Sequence, residues 1–225
     1  MQIFFLTLFP KVFHAFLNSS LLEKAQKKKL VTFNIIPIRD FAKDKHKRVD
    51  DSPYGGGEGM LLKADVLYAA WKHAIAGKKS KSAKTILLSP QGQLLTQSVA
   101  KKLTRHKKLI FVCGHYEGVD ERFIKLCVDE EISIGNYVLM GGELPALVLA
   151  ETVVRLLPGV VGNAKSLDED SLEHGLLKYP QYTRPKEFMG LDVPEVLLSG
   201  NHKAVLEWKT NQRLMQTKKK RPDLC

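Results

Sequence analysis

The sequence predicts an α/β fold: a mainly parallel sheet with helices on both faces, followed by a small helical C-terminal domain. Three observations predict it. Short apolar runs rich in Val, Ile and Leu, typical of strands buried on both faces, alternate with segments of helical spacing. Three of these runs end in polar or glycine-rich stretches, at 89–92, 114–118 and 135–142. After Pro158 the texture turns polar and irregular, then ends in one amphipathic segment.

Each element has its own reason. Ile3–Phe9 is apolar throughout and reads as a buried first strand. Pro10–Lys29 has helical spacing, broken at Asn18-Ser19-Ser20, where a new helix can be capped. Its closing Lys27-Lys28-Lys29 suits a helix C-terminus, where cations offset the dipole, and equally suits RNA phosphates. Val31–Ile38 is the second strand, and Asp40–Asp51 a polar, basic loop. Pro53–Met60 holds four glycines in five residues, which argues against regular structure. Ala64–Ala76 is an amphipathic helix carrying Trp71, and Gly77–Lys84 a basic linker. Thr85–Leu88 is a buried strand, Thr96–His106 a helix and Leu109–Cys113 another buried strand. Val119–Glu130 is a helix with Asp120 and Glu121 in its first turn, favourable by the dipole. Leu144–Leu157 is helical and opens with Pro145, which suits a first turn. Gly159–Glu173 reads as a linker, Tyr179–Pro185 as non-helical, and Asn201–Lys218 as a helix whose apolar stripe is Val205, Trp208, Leu214 and Met215.

The 225 residues suffice for one large domain or two modest ones, and 44% apolar content suffices for a core. No apolar run approaches the roughly 18 to 20 residues of a membrane span. The apolar start has no basic stretch before it and no small-residue cleavage site after it, unlike a signal peptide. Cys113, Cys127 and Cys225 form no CxxC, so a reducing cytoplasm is expected and no zinc or other metal site. Net charge is +11, unevenly spread. Residues 1–110 carry 21 basic and 7 acidic side chains, residues 111–200 carry 7 and 15, and residues 201–225 carry 7 and 2. Two basic ends around an acidic middle suit a polyanion held at the ends, or a device for solubility.

The stretch that organises the chain is Ser133-Ile-Gly-Asn-Tyr-Val-Leu-Met-Gly-Gly-Glu-Leu-Pro145. Adjacent glycines allow close backbone approaches that side chains forbid, as a ligand-facing loop needs. The glycine loop at 55–59 is not a P-loop, since Met60-Leu61 follows Gly59 where Lys-Ser/Thr would stand. The chain also lacks the GxGxxG of a Rossmann dinucleotide site. In open α/β sheets ligands sit outside the carboxyl ends of strands, so the loops at 89–92, 114–118 and 135–142 together mark the expected site.

In this order, Tyr54-Gly-Gly-Gly-Glu-Gly-Met60, Leu88-Ser-Pro-Gln-Gly92, Gly114-His-Tyr-Glu-Gly-Val-Asp-Glu-Arg122 and Asp129 through Pro145 resemble the bacterial tRNA (guanine-N1)-methyltransferases. Glu169-Asp-Ser171, Gly175-Leu-Leu177, Tyr182-Thr-Arg-Pro185 and Leu197-Leu-Ser-Gly-Asn-His202 extend the resemblance over nearly the whole chain. It implies a C-terminal trefoil knot in the sheet domain, which general topology rules would not supply. It also implies a cytoplasmic homodimer with composite active sites, S-adenosylmethionine as cofactor, and tRNA with a guanine 3′ of the anticodon as substrate. Magnesium is a family expectation only, since no ligand cluster is visible. The implied domains are 1–160 for cofactor and catalysis, 161–174 as a mobile linker, and 175–225 for tRNA. A related knotted RNA ribose 2′-O-methyltransferase is the alternative.

By the same resemblance, Leu88, Ser89, Pro90, Gly114, Tyr116, Glu117, Ile134, Gly135, Asn136, Tyr137, Val138, Leu139, Gly141, Gly142 and Pro145 fall on cofactor positions. Asp170 falls on the general base and Arg155 on its partner; on their own pattern they are one acid in a solvated run and a helix-terminal cation. His46, Asp50, Gly59 and Arg184 fall on RNA-facing positions, and Asp50 could instead pair with Lys47 or Arg48. The chain departs from the family at Asn136, where an aspartate is common, at Met140, where a small hydroxyl residue is, and at His115, where an arginine is. Met140 is expected to tighten the pocket or pack beneath it.

Overall fold

The computed structural model describes residues 1–78, 80–162 and 169–224. Residues 163–168 of the expected linker at 161–174, with Lys79 and Cys225, lie outside the described residues. The chain divides into two units, Met1–Gly162 and Asn163–Cys225.

The first unit is built on a five-stranded parallel sheet. Its strands are β1 (Gln2–Thr7), β2 (Thr32–Pro37), β5 (Ala83–Leu94), β6 (Lys108–Cys113) and β7 (Glu130–Ser133), in the order β2-β1-β6-β5-β7. Two short strands, β3 (Asp50–Asp51) and β4 (Leu61–Leu62), pair antiparallel around the glycine loop. Helices α1 (Lys11–Leu17), α2 (Ser20–Lys27), α3 (Ala64–Ala74), α4 (Gln97–Leu103), α5 (Glu121–Cys127) and α6 (Glu143–Arg155) complete the unit.

Alternation along the strands feeds two cores. Ile3 and Phe5 of β1, Leu109, Phe111 and Cys113 of β6, and Ile86 and Leu88 of β5 pack with buried residues of α1, α2, α4 and α6. Their neighbours Leu6, Ile110, Val112 and Leu87 pack on the other face with α3 and α5. Phe5 sits at the centre of the first core, 4.5 Å from the Phe13 ring and 5.6 Å from the Phe111 ring. In the second, the Trp71 indole N–H donates to the Thr85 hydroxyl at 2.9 Å, so its one polar atom is satisfied.

Three expectations are corrected. The strand at Thr85–Leu88 continues to Leu94, with a break in register: Leu88 and Gln93 both face Ile132, so residues 89–92 bulge from the ladder. The helix expected over Val119–Glu130 is only Glu121–Cys127. Asp120 caps it by accepting the Arg122 N–H at 2.9 Å, while Glu130 and Glu131 pair with Ile86 and Leu87 as β7. In the second unit, α7 (His202–Lys220) exposes Leu214 and Met215, while Val205 and Trp208 are half-buried. The inward side runs on to buried Thr217, whose hydroxyl accepts the Leu177 N–H at 2.9 Å. The second unit also holds a hairpin, β8 (Glu187–Phe188) with β9 (Leu191–Asp192). No helix among the described residues is long and apolar enough to cross a membrane.

Candidate active site

Because the strands are parallel, the ends of β5, β6 and β7 share one edge of the sheet, and the bulge and loops that leave them enclose a cavity of about 380 Å³. This is within the size range of small-molecule sites. Leu88, Ser89 and Pro90 line it from the bulge, and Gly114, Tyr116 and Glu117 from the loop after β6. Ile134, Gly135, Tyr137, Val138, Leu139, Gly141, Gly142 and Pro145 line it from the loop after β7 and the start of α6. Asn136 is not among the lining residues. Met140 lies at the rim and is 94% exposed, so it does not pack beneath the cavity.

Close backbone packing holds the loops together. The Gly142 N–H donates to the Gly114 carbonyl at 2.8 Å, and His115 and Gly141 form an antiparallel bridge. A Cβ on Gly142 would lie 2.7 Å from the Cα of Cys113, and one on Gly135 would run into the Tyr137 ring. Tyr116 takes a left-handed φ of 60° in a turn closed by the Gly118 N–H on the His115 carbonyl. Strain of this kind in a non-glycine residue persists where surrounding structure fixes it, commonly at ligand sites.

The cavity is acidic. Glu117, Glu121 and Glu131 line it, and among the described residues lining it there is no lysine or arginine. Such a lining favours a ligand that carries positive charge. The glycine loop reaches the same place: the Glu117 N–H donates to the Met60 carbonyl at 3.0 Å, and any side chain at Gly59 would strike the Glu117 side chain.

Behind His115 of the lining is a buried network that sequence reasoning missed. Glu143, the first residue of α6, is only 5% exposed. One of its carboxylate oxygens accepts from the buried Thr7 hydroxyl at 2.6 Å, and the other lies 2.9 Å from Nε2 of His115. The Thr7 hydroxyl in turn accepts the Phe9 N–H at 2.9 Å. The network ties the end of β1 to the loop after β6 and to α6. The only sequence signal was an acid opening a helix, which the dipole already explains. Burial, with the Glu143 charge, pushes the Cys113 thiol well above its ordinary range, so it stays neutral and is no nucleophile. Thr7→Val should remove a donor from the buried carboxylate and an acceptor from the Phe9 N–H. The expected loss is about 1–3 kcal/mol, read from urea unfolding. An unchanged midpoint and slope would mean the network adds nothing to stability.

The remaining expected residues are not among those that line the cavity. His46 and Arg48 donate backbone N–H groups to the Asp44 carboxylate, which Arg48 also pairs at 3.3 Å, while Lys47 lies 3.7 Å from Asp40. Asp50 faces Leu62 in the β3–β4 ladder. Arg155 ends α6 in the first unit. Asp170 and Arg184 belong to the second unit, where the Asp170 carboxylate lies 3.6 Å from the Lys178 ammonium. Among the described residues, no group of three or more His, Cys, Asp or Glu could hold a metal ion.

The sequence profile of the family described as tRNA (Guanine-1)-methyltransferase TrmD matches residues 1–225. Relatives include a protein of Carboxydothermus hydrogenoformans, 52% identical over all of this chain and 87% of its own length. Another, from Ruminiclostridium cellulolyticum, is 52% identical over 97% of this chain and 94% of its own. A third, from Bacillus pumilus, is 51% identical over all of this chain and 91% of its own. All three carry the name tRNA (guanine-N(1)-)-methyltransferase.

Proposed function

This chain belongs to the tRNA (guanine-1)-methyltransferase family, and on that premise we propose that it methylates N1 of the guanine immediately 3′ of the anticodon in tRNA, with S-adenosylmethionine as donor. The observation that carries the donor site is the acid-lined cavity at the ends of β5, β6 and β7. The residues fit the group: the carboxylates suit a sulfonium, and glycines at 135, 141 and 142 leave room for backbone contacts to an adenine edge. When bound, S-adenosylmethionine supplies an electrophilic methyl group on a positively charged sulfur. Glu117 would offset that charge, and backbone groups of 134–139 would read the adenine.

Guanine N1 carries a proton, and its lone pair is not free to attack until that proton leaves. We assign its removal to Asp170, as general base. Arg155 orients Asp170 or steadies negative charge developing on guanine O6. His46, Asp50, Gly59 and Arg184 face the RNA, and Asp50 can accept hydrogen bonds from a guanine's Watson–Crick edge. The sheet domain, by this reading, is closed as a trefoil knot. Its support is the cavity that the bulge at 89–92 and the loops at 114–118 and 134–142 share, latched by the Gly142–Gly114 hydrogen bond.

The reading also makes the protein a homodimer whose sites draw on both chains. Its support is an exposed apolar group: Phe9, Val12 and Phe16 run along α1 and its approach, and Leu144 and Val148 along α6. Exposed apolar patches of this kind mark association surfaces. A tRNA substrate suits a cytoplasmic enzyme.

Calorimetry with S-adenosylmethionine tests the donor site. Saturable binding is expected, and Glu117→Gln should weaken it by about three- to tenfold, corresponding to loss of one partly screened charge interaction. No heat of binding with the folded parent protein would overturn the assignment of the cavity.

A further inference from the structure

The opposite edge of the sheet carries a second feature. Thr32, Gln2, Lys108 and Ala83 lie side by side at the starts of β2, β1, β6 and β5. The connections feeding these strands are stitched together: the Gln2 N–H donates to the Lys107 carbonyl at 2.8 Å, and the Lys107 N–H to the Ser82 carbonyl at 3.1 Å. The exposed cations Lys28, Lys29, Lys78, Lys81, Arg105 and Lys107 sit in these connections, and Lys27, Lys101 and Lys102 end the helices that lead into them. Neighbouring strands are about 4.8 Å apart, so the starts of β5 and β6 lie within about one Debye length of each other in physiological salt, and the start of β2 is two strand spacings from β6. Acidic relief is local: Glu23 pairs with Lys27, and on the β7 side Glu130 pairs with Lys84 at 2.7 Å.

Dipole compensation explains only part of this. Lys27, Lys101 and Lys102 stand in the last turns of α2 and α4, where cations are favourable. Lys29, Lys81, Arg105 and Lys107 stand in connections outside any last turn. Gathering them raises the self-repulsion of the fold, which an anionic partner relieves. Among the described residues, no large apolar side chain is exposed within 24–29, 78–81 or 101–107. The surface thus lacks the aromatics that stack unpaired bases and the apolar anchors of protein or membrane contacts. Charge without stacking groups fits the phosphate backbone of a duplex.

We propose that this edge is a second RNA surface, which grips the phosphates of a double-helical stem at the end of the sheet away from the methyl-transfer site. A strand of six residues separates the two ends of the sheet by roughly 20 Å, and the stem proposed here is one outside the anticodon stem-loop. The inference rests on the tRNA reading above for the identity of the RNA.

The test is the fourfold variant Lys29→Gln, Lys81→Gln, Arg105→Gln, Lys107→Gln, all at exposed positions outside the donor site. Binding across a salt series is measured for a full-length tRNA transcript, its isolated anticodon stem-loop, and an unrelated RNA duplex. For full-length tRNA the log–log salt slope should flatten by about 2 to 3.5, at about 0.9 for each phosphate no longer neutralised, with at least a tenfold affinity loss at low salt. The stem-loop should bind the variant within twofold of the parent. A parallel loss for the unrelated duplex would identify any RNA backbone as the ligand, and no loss there would identify the tRNA's own stem. Parent-like affinity and slope for full-length tRNA would overturn the proposal, as would an equal loss for the stem-loop. S-adenosylmethionine affinity and stem-loop methylation are read separately, so a failure there counts against the proposed reaction and not against this surface.

Discussion

Asp170→Asn is expected to lower the single-turnover rate of guanine methylation by about 10²- to 10⁴-fold, the usual contribution of a general base. Asn keeps the shape of the side chain and cannot accept the N1 proton. Single turnover isolates the chemical step from product release. Affinities for tRNA and S-adenosylmethionine should change little, because the group acts as the methyl moves. Asp170→Glu keeps the acceptor and displaces it, so it should recover part of the rate. In the structure the carboxylate is partly exposed and 3.6 Å from the Lys178 ammonium. A purely structural role would make Asn weaken tRNA binding, with full rate restored at saturating tRNA. That restoration would defeat the assignment.

The second large effect is expected at Gly142. Its added Cβ would sit 2.7 Å from the Cα of Cys113 and 2.8 Å from the N of Gly114, both backbone atoms that no rotamer change can move. Gly142→Val therefore has to shift the loop, stretching the hydrogen bond to the Gly114 carbonyl and deforming the cavity lining. Overpacking of this kind costs about 1–3 kcal/mol, equivalent to about five- to one-hundred-and-sixtyfold in S-adenosylmethionine affinity if it falls on the bound loop. Gly162→Ala is the control, since nothing lies within 4 Å of its added Cβ. Calorimetry with parent-like affinity in folded Gly142→Val would show that the loop does not shape the donor site.

Much of the fold was legible because its strands are buried on both faces and so read as continuous apolar runs, as at Leu109–Cys113. The loops at 114–118 and 135–142 were legible because glycines punctuate them. The bulge at 89–92 was not: Ser-Pro-Gln-Gly reads as a strand end, and only the pairing of Gln93 and Leu94 with β7 shows that the strand resumes. Helix boundaries failed where a cap decided them, as at Asp120. The stripe on α7 failed at Leu214 and Met215, because apolar identity does not say which side of a helix is covered. Glu143 was illegible for a different reason. Its partner Thr7 lies 136 residues away, and no local pattern announces a carboxylate buried by tertiary packing. Asp170 and Arg155 carry no local signal of chemistry either; resemblance alone singled them out.

The most direct measurement is the position of the transferred methyl group. The protein is incubated with methyl-labelled S-adenosylmethionine and a tRNA bearing guanine 3′ of its anticodon, and the tRNA is then digested to nucleosides and sequenced by mass. The predicted result is label in 1-methylguanosine at that one position, absent when the guanine there is replaced by adenine. Label on a ribose 2′-hydroxyl, or on a guanine elsewhere in the molecule, would contradict it.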